Sequence, residues 1–154
     1  MINIRPAKDS DMSAVAALEQ ECFTDAWSEA LISNMFSNSY DKIYVLTADD
    51  SEIDSSDNGD TGEKVLGYIN TRDIGGDVDL MALCVSPVHR NKGYAGMLIE
   101  RILQEPYKQI ILEVRESNAP AIHLYEKCGF EKYARRERYY TSPVEDAIIM
   151  IKKC

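Results

Sequence analysis

The sequence predicts an α+β fold: one mixed, mainly antiparallel twisted sheet with helices on both faces. Three observations carry that expectation. Stretches of alternating apolar residues and stretches with apolar residues three or four apart follow in the order β-α-α-β-β-β-α-β-α-β-β. A glycine pair at 75–76 marks a tight hairpin, whereas two helices act as crossovers between strands. The length of 154 residues, with 45% hydrophobic and 28% charged residues, suits a single domain spanning 1–154 with one sizeable core.

The elements follow from local pattern. "INIRPA" alternates and opens as a strand. "DSDMSAVAALEQECF" offers Asp or Ser as helix caps and sets Met12, Val15, Leu18 and Cys22 along one helical face. "WSEALISNMF" predicts a short second helix capped by Ser28. "KIYVLTA", "KVLGYINTRDI" and "DVDLMALCV" predict three strands, the last two joined at the glycine pair. "GYAGMLIERILQE" is amphipathic and is stopped by Pro106. "KQIILEVRE" predicts a strand, and "APAIHLYEKC" a helix that Gly129 ends. "FEKYARRERYY" and "EDAIIMIKK" close the sheet.

Composition narrows the function. The net charge of −9 argues against nucleic-acid binding, which needs clustered Lys and Arg to neutralise phosphates. Much of that charge comes from Asp49, Asp50, Glu52, Asp54, Asp57, Asp60 and Glu63, with no cation among them. The stretch 49–63 therefore reads either as a solvated, disordered hairpin tip or as a loop steering a basic partner. No apolar run is long enough to span a bilayer, and the N terminus lacks the apolar core of a secretion signal, so a cytoplasmic, membrane-free protein is expected. Cys22, Cys84, Cys128 and Cys154 have no zinc-like spacing and the chain has two histidines, so no metal site is expected and the cysteines are expected to be reduced thiols.

The turn in "VSPVHRNKGYAGMLIERIL" leads from a strand into an amphipathic helix and carries Arg90, Gly93 and Ala95. Such a turn presents free backbone N–H groups at the positive end of a helix dipole, a suitable seat for a pyrophosphate. Neither GxxxxGK[ST] nor GxGxxG is present. "RNKGYA" resembles the Q/R-x-x-G-x-G/A motif of the GCN5-related N-acetyltransferase (GNAT) superfamily. Within it, Leu112 through Phe130 resembles the "LEVRxSNxxAIxLYExxGF" of bacterial ribosomal-protein-alanine N-acetyltransferases. "RRERYYTSPVEDAIIM" resembles their closing motif, and "AWSE" at 26–29 approximates their "PWSE". The chain departs from the pattern in the acidic insertion and in a helix shortened before Pro106.

The resemblance implies acetyl-CoA as acetyl donor. Asn91, Lys92, Gly93, Tyr94, Ala95 and Gly96 would hold its pyrophosphate. Leu83, Cys84 and Val85 would offer unpaired backbone groups to the pantetheine arm and an oxyanion hole to the thioester. Asn118 would contact the donor besides capping a helix. Glu113 shares a strand face with Ile111 and Arg115, so from the residues alone it is either a surface partner of Arg115 or a functional carboxylate. Tyr125, on a helical face with Ala121, Ile122 and Cys128, reads alone as core. The resemblance assigns Glu113 as general base, acting through water, and Tyr125 as general acid toward the departing thiolate. Cys84 as an acyl carrier is disfavoured, because no base accompanies it, and direct attack is expected.

The resemblance also implies the acceptor, the basic, alanine-starting N-terminal peptide of a ribosomal protein. An α-amine titrating near 8 is roughly a quarter neutral at pH 7.5, whereas a lysine near 10.4 is about 0.1% neutral, so one glutamate serves the former more easily. Trp27, Tyr139 and Tyr140 either wall a peptide groove or simply pack on the sheet. Two alternatives stay open: acetylation of a small-molecule amine or internal lysine, and a non-catalytic acetyl-CoA-binding module.

Overall fold

The computed structural model describes residues 2–23, 27–49 and 63–154. The elements are β1 (Ile2–Pro6), α1 (Met12–Cys22), α2 (Glu29–Ser37), β2 (Asp41–Ala48), β3 (Lys64–Ile74), β4 (Asp77–Val85), α3 (Tyr94–Leu103), β5 (Gln109–Arg115), α4 (Ala119–Lys127), β6 (Glu131–Tyr140) and β7 (Glu145–Lys153). Their order is the one the sequence predicts. Apart from its end residues Asp49 and Glu63, the acidic stretch 49–63 lies outside the described residues, as does Ala26 of "AWSE".

Local chemistry explains most boundaries. Ser28 accepts the Leu31 N–H at 3.3 Å and caps α2 as expected. Gly75 and Gly76 both have positive φ, 66° and 94°, which a two-residue turn between right-twisted strands requires. The start of α1 differs from expectation. Asp11 stands at its N-cap position but makes no capping bond to the helix. Its carboxylate accepts instead from the Lys8 N–H (2.7 Å), closing a 3-10 turn, and from both terminal nitrogens of Arg5 (2.7 and 3.0 Å). A guanidinium offers a charged, bidentate bond that one helix N–H cannot match.

The seven strands form one sheet in the order β1-β2-β3-β4-β5-β7-β6. All neighbours are antiparallel except β4 and β5. Helices α3 and α4 cover one face, packing Leu98, Ile99, Ile102 and Ile122, with Phe130 just past α4, onto Ile110, Leu112, Val114 and Met150. Helices α1 and α2 cover the other, where Val15, Leu18, Ile32 and Met35 meet Val45, Tyr68, Ala82 and Cys84.

The position of the site is set by one irregularity. Strands β4 and β5 pair only through Asp77–Asp79 and Gln109–Ile111. Beyond that they part, each still held on its far side: β4 pairs with β3 up to Val85 and β5 with β7 up to Arg115. The sheet therefore opens into a wedge between its two halves.

Candidate active site

The wedge holds a cleft of about 660 Å³, within the range of small-ligand sites. Leu83, Cys84 and Val85 line it from β4, Glu113 and Arg115 from β5, and Asn118 and Tyr125 from α4 and its cap. Because β3 occupies the other edge of β4, the groups of β4 that point into the wedge are those a ligand can reach. Arg90 takes one of these residues' carbonyls, its Nε donating to Val85 O at 3.2 Å. That bond ties the β4 end to the turn that follows.

The turn opens α3. Asn91 and Gly93 have positive φ, 65° and 79°. A Cβ at Gly93 would meet nothing within 4 Å, so glycine is needed there for the left-handed backbone rather than for protein packing. No side chain caps the helix, and its ladder starts with the Met97 N–H on Gly93 O at 3.1 Å. The N–H groups of Tyr94, Ala95 and Gly96 precede that ladder. This donor set, at the positive end of a ten-residue helix, fits a pyrophosphate. Ala95 lines the cleft, whereas Asn91, Lys92, Gly93, Tyr94 and Gly96 are not among its lining residues and can contribute backbone at its end.

Glu113 is half-buried on the α1/α2 face, opposite buried Leu112 and Val114. Its ion-pair partner is Arg136 of β6 at 3.6 Å. The Tyr139 hydroxyl also hydrogen-bonds to Glu113, which raises the phenol above its ordinary range. Arg115 places its guanidinium on Glu145 (3.3 Å) and on the carbonyls of Thr141 and Pro143. Thus β6 and β7 supply the partners that hold both strand residues.

Tyr125 belongs to the core and also reaches the cleft. It is 8% exposed and packs edge-to-face on Phe130 at 5.9 Å, yet it also lines the cleft. Burial, with the neighbouring Tyr140 adding to it, pushes its phenol up to about 12. Asn118 caps α4 through its carbonyl oxygen, accepting the Ala121 N–H at 3.2 Å, so its amide NH₂ is left to donate toward the cleft. Of the three expected wall aromatics, Trp27 and Tyr140 line the cleft; Tyr139 is 45% exposed and serves Glu113.

The expectation of four reduced thiols is corrected. Cys22 and Cys84 form a disulfide, 62 residues apart in sequence, with Cα atoms 6.5 Å apart; Cys128 and Cys154 are free. Spacing could not reveal this pair, because the fold alone lays the end of α1 over the C-terminal end of β4. With its sulfur bonded to Cys22, Cys84 contributes to the cleft through its backbone.

Sequence reasoning also missed Glu19. This α1 residue lines the cleft although it is 2% exposed, and its carboxylate accepts the Tyr68 hydroxyl and the Trp27 N–H (3.4 Å). A polar residue beside Leu18 on an otherwise apolar helical face was the available signal.

Residues 12–130 match the Acetyltransferase (GNAT) family. The chain is 30% identical over 156 residues to ribosomal protein bS18-alanine N-acetyltransferase of Escherichia coli K12, covering 97% of this chain and 96% of that protein. It is 26% identical to the putative counterpart of Bacillus subtilis, covering 96% and 92%. The crystal structure of the Escherichia coli ribosomal-protein-S18-alanine N-acetyltransferase superposes with a TM-score of 0.84 at 28% identity, covering 99% and 94%. NAA60 of Arabidopsis thaliana in complex with acetyl-CoA superposes equally well, 0.84, over 99% and 98%; at 18% identity this likeness is one of fold.

Proposed function

The chain belongs to the Acetyltransferase (GNAT) family and is an acetyl-CoA-dependent N-acetyltransferase; from that premise we propose that it acetylates the N-terminal α-amine of a protein, an alanine-starting ribosomal protein. The observation that carries this reading is the convergence of Glu113 and Tyr125 on one cleft, at the place where β4 and β5 part. The similarity to the bS18-alanine enzymes supports the choice of acceptor.

In this reading the N–H groups at 91–96 bind the donor's pyrophosphate, and the wedge edge of Leu83–Val85 aligns its pantetheine arm. Asn118 adds a side-chain donor. A wedge-side N–H of β4 polarises the thioester carbonyl and steadies the oxyanion, a contribution of about 3–4 kcal/mol where such donors have been removed in other enzymes. Glu113, oriented by Tyr139 and Arg136, takes the proton of the attacking ammonium through water. The amine then attacks the carbonyl carbon directly, its nitrogen gives up a second proton to solvent, and the C–S bond breaks as the oxyanion collapses to the amide.

Tyr125 stands over the departing sulfur. With its phenol pushed up to about 12, full transfer to a free thiolate of about 8.5 is uphill. Its first contribution is therefore a hydrogen bond to the charge building on sulfur. Transfer completes because the thiolate, leaving in the same buried surroundings, has its own pKa raised.

The test mixes the protein with acetyl-CoA, an alanine-starting basic peptide, the same peptide N-terminally blocked, and spermidine, and reads products by mass. Acetate on the free peptide alone is expected. Acetate on spermidine or on the blocked peptide's lysine assigns another acceptor. Coenzyme A binding without product removes catalysis.

A further inference from the structure

We infer that Glu19 is a specificity-determining residue of the acceptor site, a carboxylate that accepts hydrogen bonds from the acceptor's ammonium before Glu113 takes its proton. This deepens the reading above and rests on it.

The argument begins with an imbalance. A carboxylate that is almost fully buried is costly unless a cation or several donors answer it. Glu19 is 2% exposed, and its partners among the described residues are both neutral: the Tyr68 hydroxyl and the Trp27 N–H. Three other acids are answered by cations. Glu113 has Arg136 at 3.6 Å, Asp11 has Arg5 at 2.7 Å, and Glu145 has Arg115 at 3.3 Å. A carboxylate accepts about four hydrogen bonds, and these two donors leave half of that capacity. Glu19 is also one of the residues that line the cleft. The ligand that completes such a site is a compact cation with several N–H donors, which describes a protonated terminal amine.

The surroundings hold this side chain in place. Tyr68 is fully buried on β3, and burial, followed by the nearby Glu19 charge, raises its phenol far above the ordinary value. It therefore keeps its proton and remains a donor throughout the neutral range. Tyr68 pairs across the sheet with Cys84, whose disulfide with Cys22 ties β4 to the end of α1, three residues from Glu19. The ionisable groups sharing the cleft are Glu113 and Arg115 from β5, Arg90 beyond β4, and Tyr125 and Tyr140. Glu19 thus approaches the acceptor from α1 and Glu113 from β5. One carboxylate binds the charge and the other removes the proton.

The experiment is a competition on the wild-type protein saturated with coenzyme A, between an alanine-starting peptide and its desamino analogue, in which hydrogen replaces the terminal amine. At pH 7 the amine peptide is expected to bind about 10–50-fold more tightly, the range of one charged hydrogen-bonded contact. In Glu19→Gln, which keeps an oxygen for Tyr68, that preference falls below about threefold, and the peptide's KM rises by about 10–50-fold. Its kcat and acetyl-CoA affinity stay within about threefold, well short of the loss expected for an acid–base residue. The KM effect shrinks as pH rises past about 8, where the amine loses its charge. A purely structural role for Glu19 would leave the defect independent of pH.

Equal binding of the two peptides by the wild type, or no binding of either, overturns the inference. So does a pH-independent KM defect or lost acetyl-CoA affinity in the variant. If Glu19→Gln does not fold, the wild-type competition decides alone. Because that competition needs no turnover, an ammonium preference without acetyl transfer would sink the proposed reaction and leave the cation site standing.

Discussion

The two faces of the sheet are built on different principles. Under α3 and α4 the buried residues are almost wholly aliphatic and aromatic, from Leu98 and Ile99 to Leu112 and Met150. Under α1 and α2 the sheet buries Glu19, its partner Tyr68, the Cys22–Cys84 bridge and Asn70, two residues along from Tyr68. Apolar burial stabilises at about 25 cal/mol per Å², whereas each polar group must be matched or lose free energy. A chain selected for stability alone would make both faces like the first. The second face carries its buried polar groups where the wedge opens, at the site proposed for the reaction.

Substitutions on either face put that contrast at risk. The largest effect is expected from Glu113→Gln, with kcat falling about 10³-fold, roughly 4 kcal/mol of barrier. Acetyl-CoA affinity by calorimetry should stay within about twofold, because a uniform-binding role would move KM instead. Unchanged turnover would remove Glu113 from the mechanism.

Next, Leu98→Ala on the α3 face should lower stability by about 3 kcal/mol, because Leu98 is fully buried. Thermal unfolding would then shift by roughly 6–12 °C. Turnover of the folded fraction should hold. A large loss of kcat at temperatures where the variant is fully folded would break the division of labour.

Tyr125 belongs to the apolar core and to the cleft, so it tests the boundary. Tyr125→Phe keeps the ring against Phe130 and should change stability by less than about 1 kcal/mol. It removes the proton donor, and kcat should fall about 10²-fold. A leaving thiolate of lower pKa, supplied by an acetyl thioester analogue, should recover part of that loss.

The smallest effect concerns Asp11, a polar group at the α1 end but away from the cleft. The Arg5 guanidinium holds its carboxyl below the usual range. A depressed folded pKa contributes stability that is present above about 3.9 and is lost as pH falls through the folded value. Asp11→Asn should therefore cost about 1–2 kcal/mol at pH 7, and denaturant midpoints of variant and wild type should converge as pH falls through the depressed folded value. Activity should not change, which would separate structural from functional polarity on this face.

Much of this was legible from the residues. The hairpin at Gly75–Gly76, the Ser28 cap and the end of α4 at Gly129 follow from backbone preferences that act over four or five residues. The alternation that aims Glu113 away from Leu112 and Val114 is equally local. The cap of α1 was misjudged because Arg5, brought in by β1, competes for Asp11. The disulfide was missed because its cysteines are 62 residues apart. Glu19 was missed because burial with Tyr68 depends on two segments 49 residues apart.

The sequence by itself determined the elements, their order, the glycine turn before α3 and the two residues carried by a recognisable motif. These depend on φ, on periodicity and on neighbours along the chain. Only the tertiary structure decided where β4 and β5 part, that Arg136 and Tyr139 hold Glu113, that Cys22 meets Cys84, and that Glu19 faces the cleft without a cation among the described residues. Each of these is a relation between distant segments, and its free energy exists only once the sheet has brought them together.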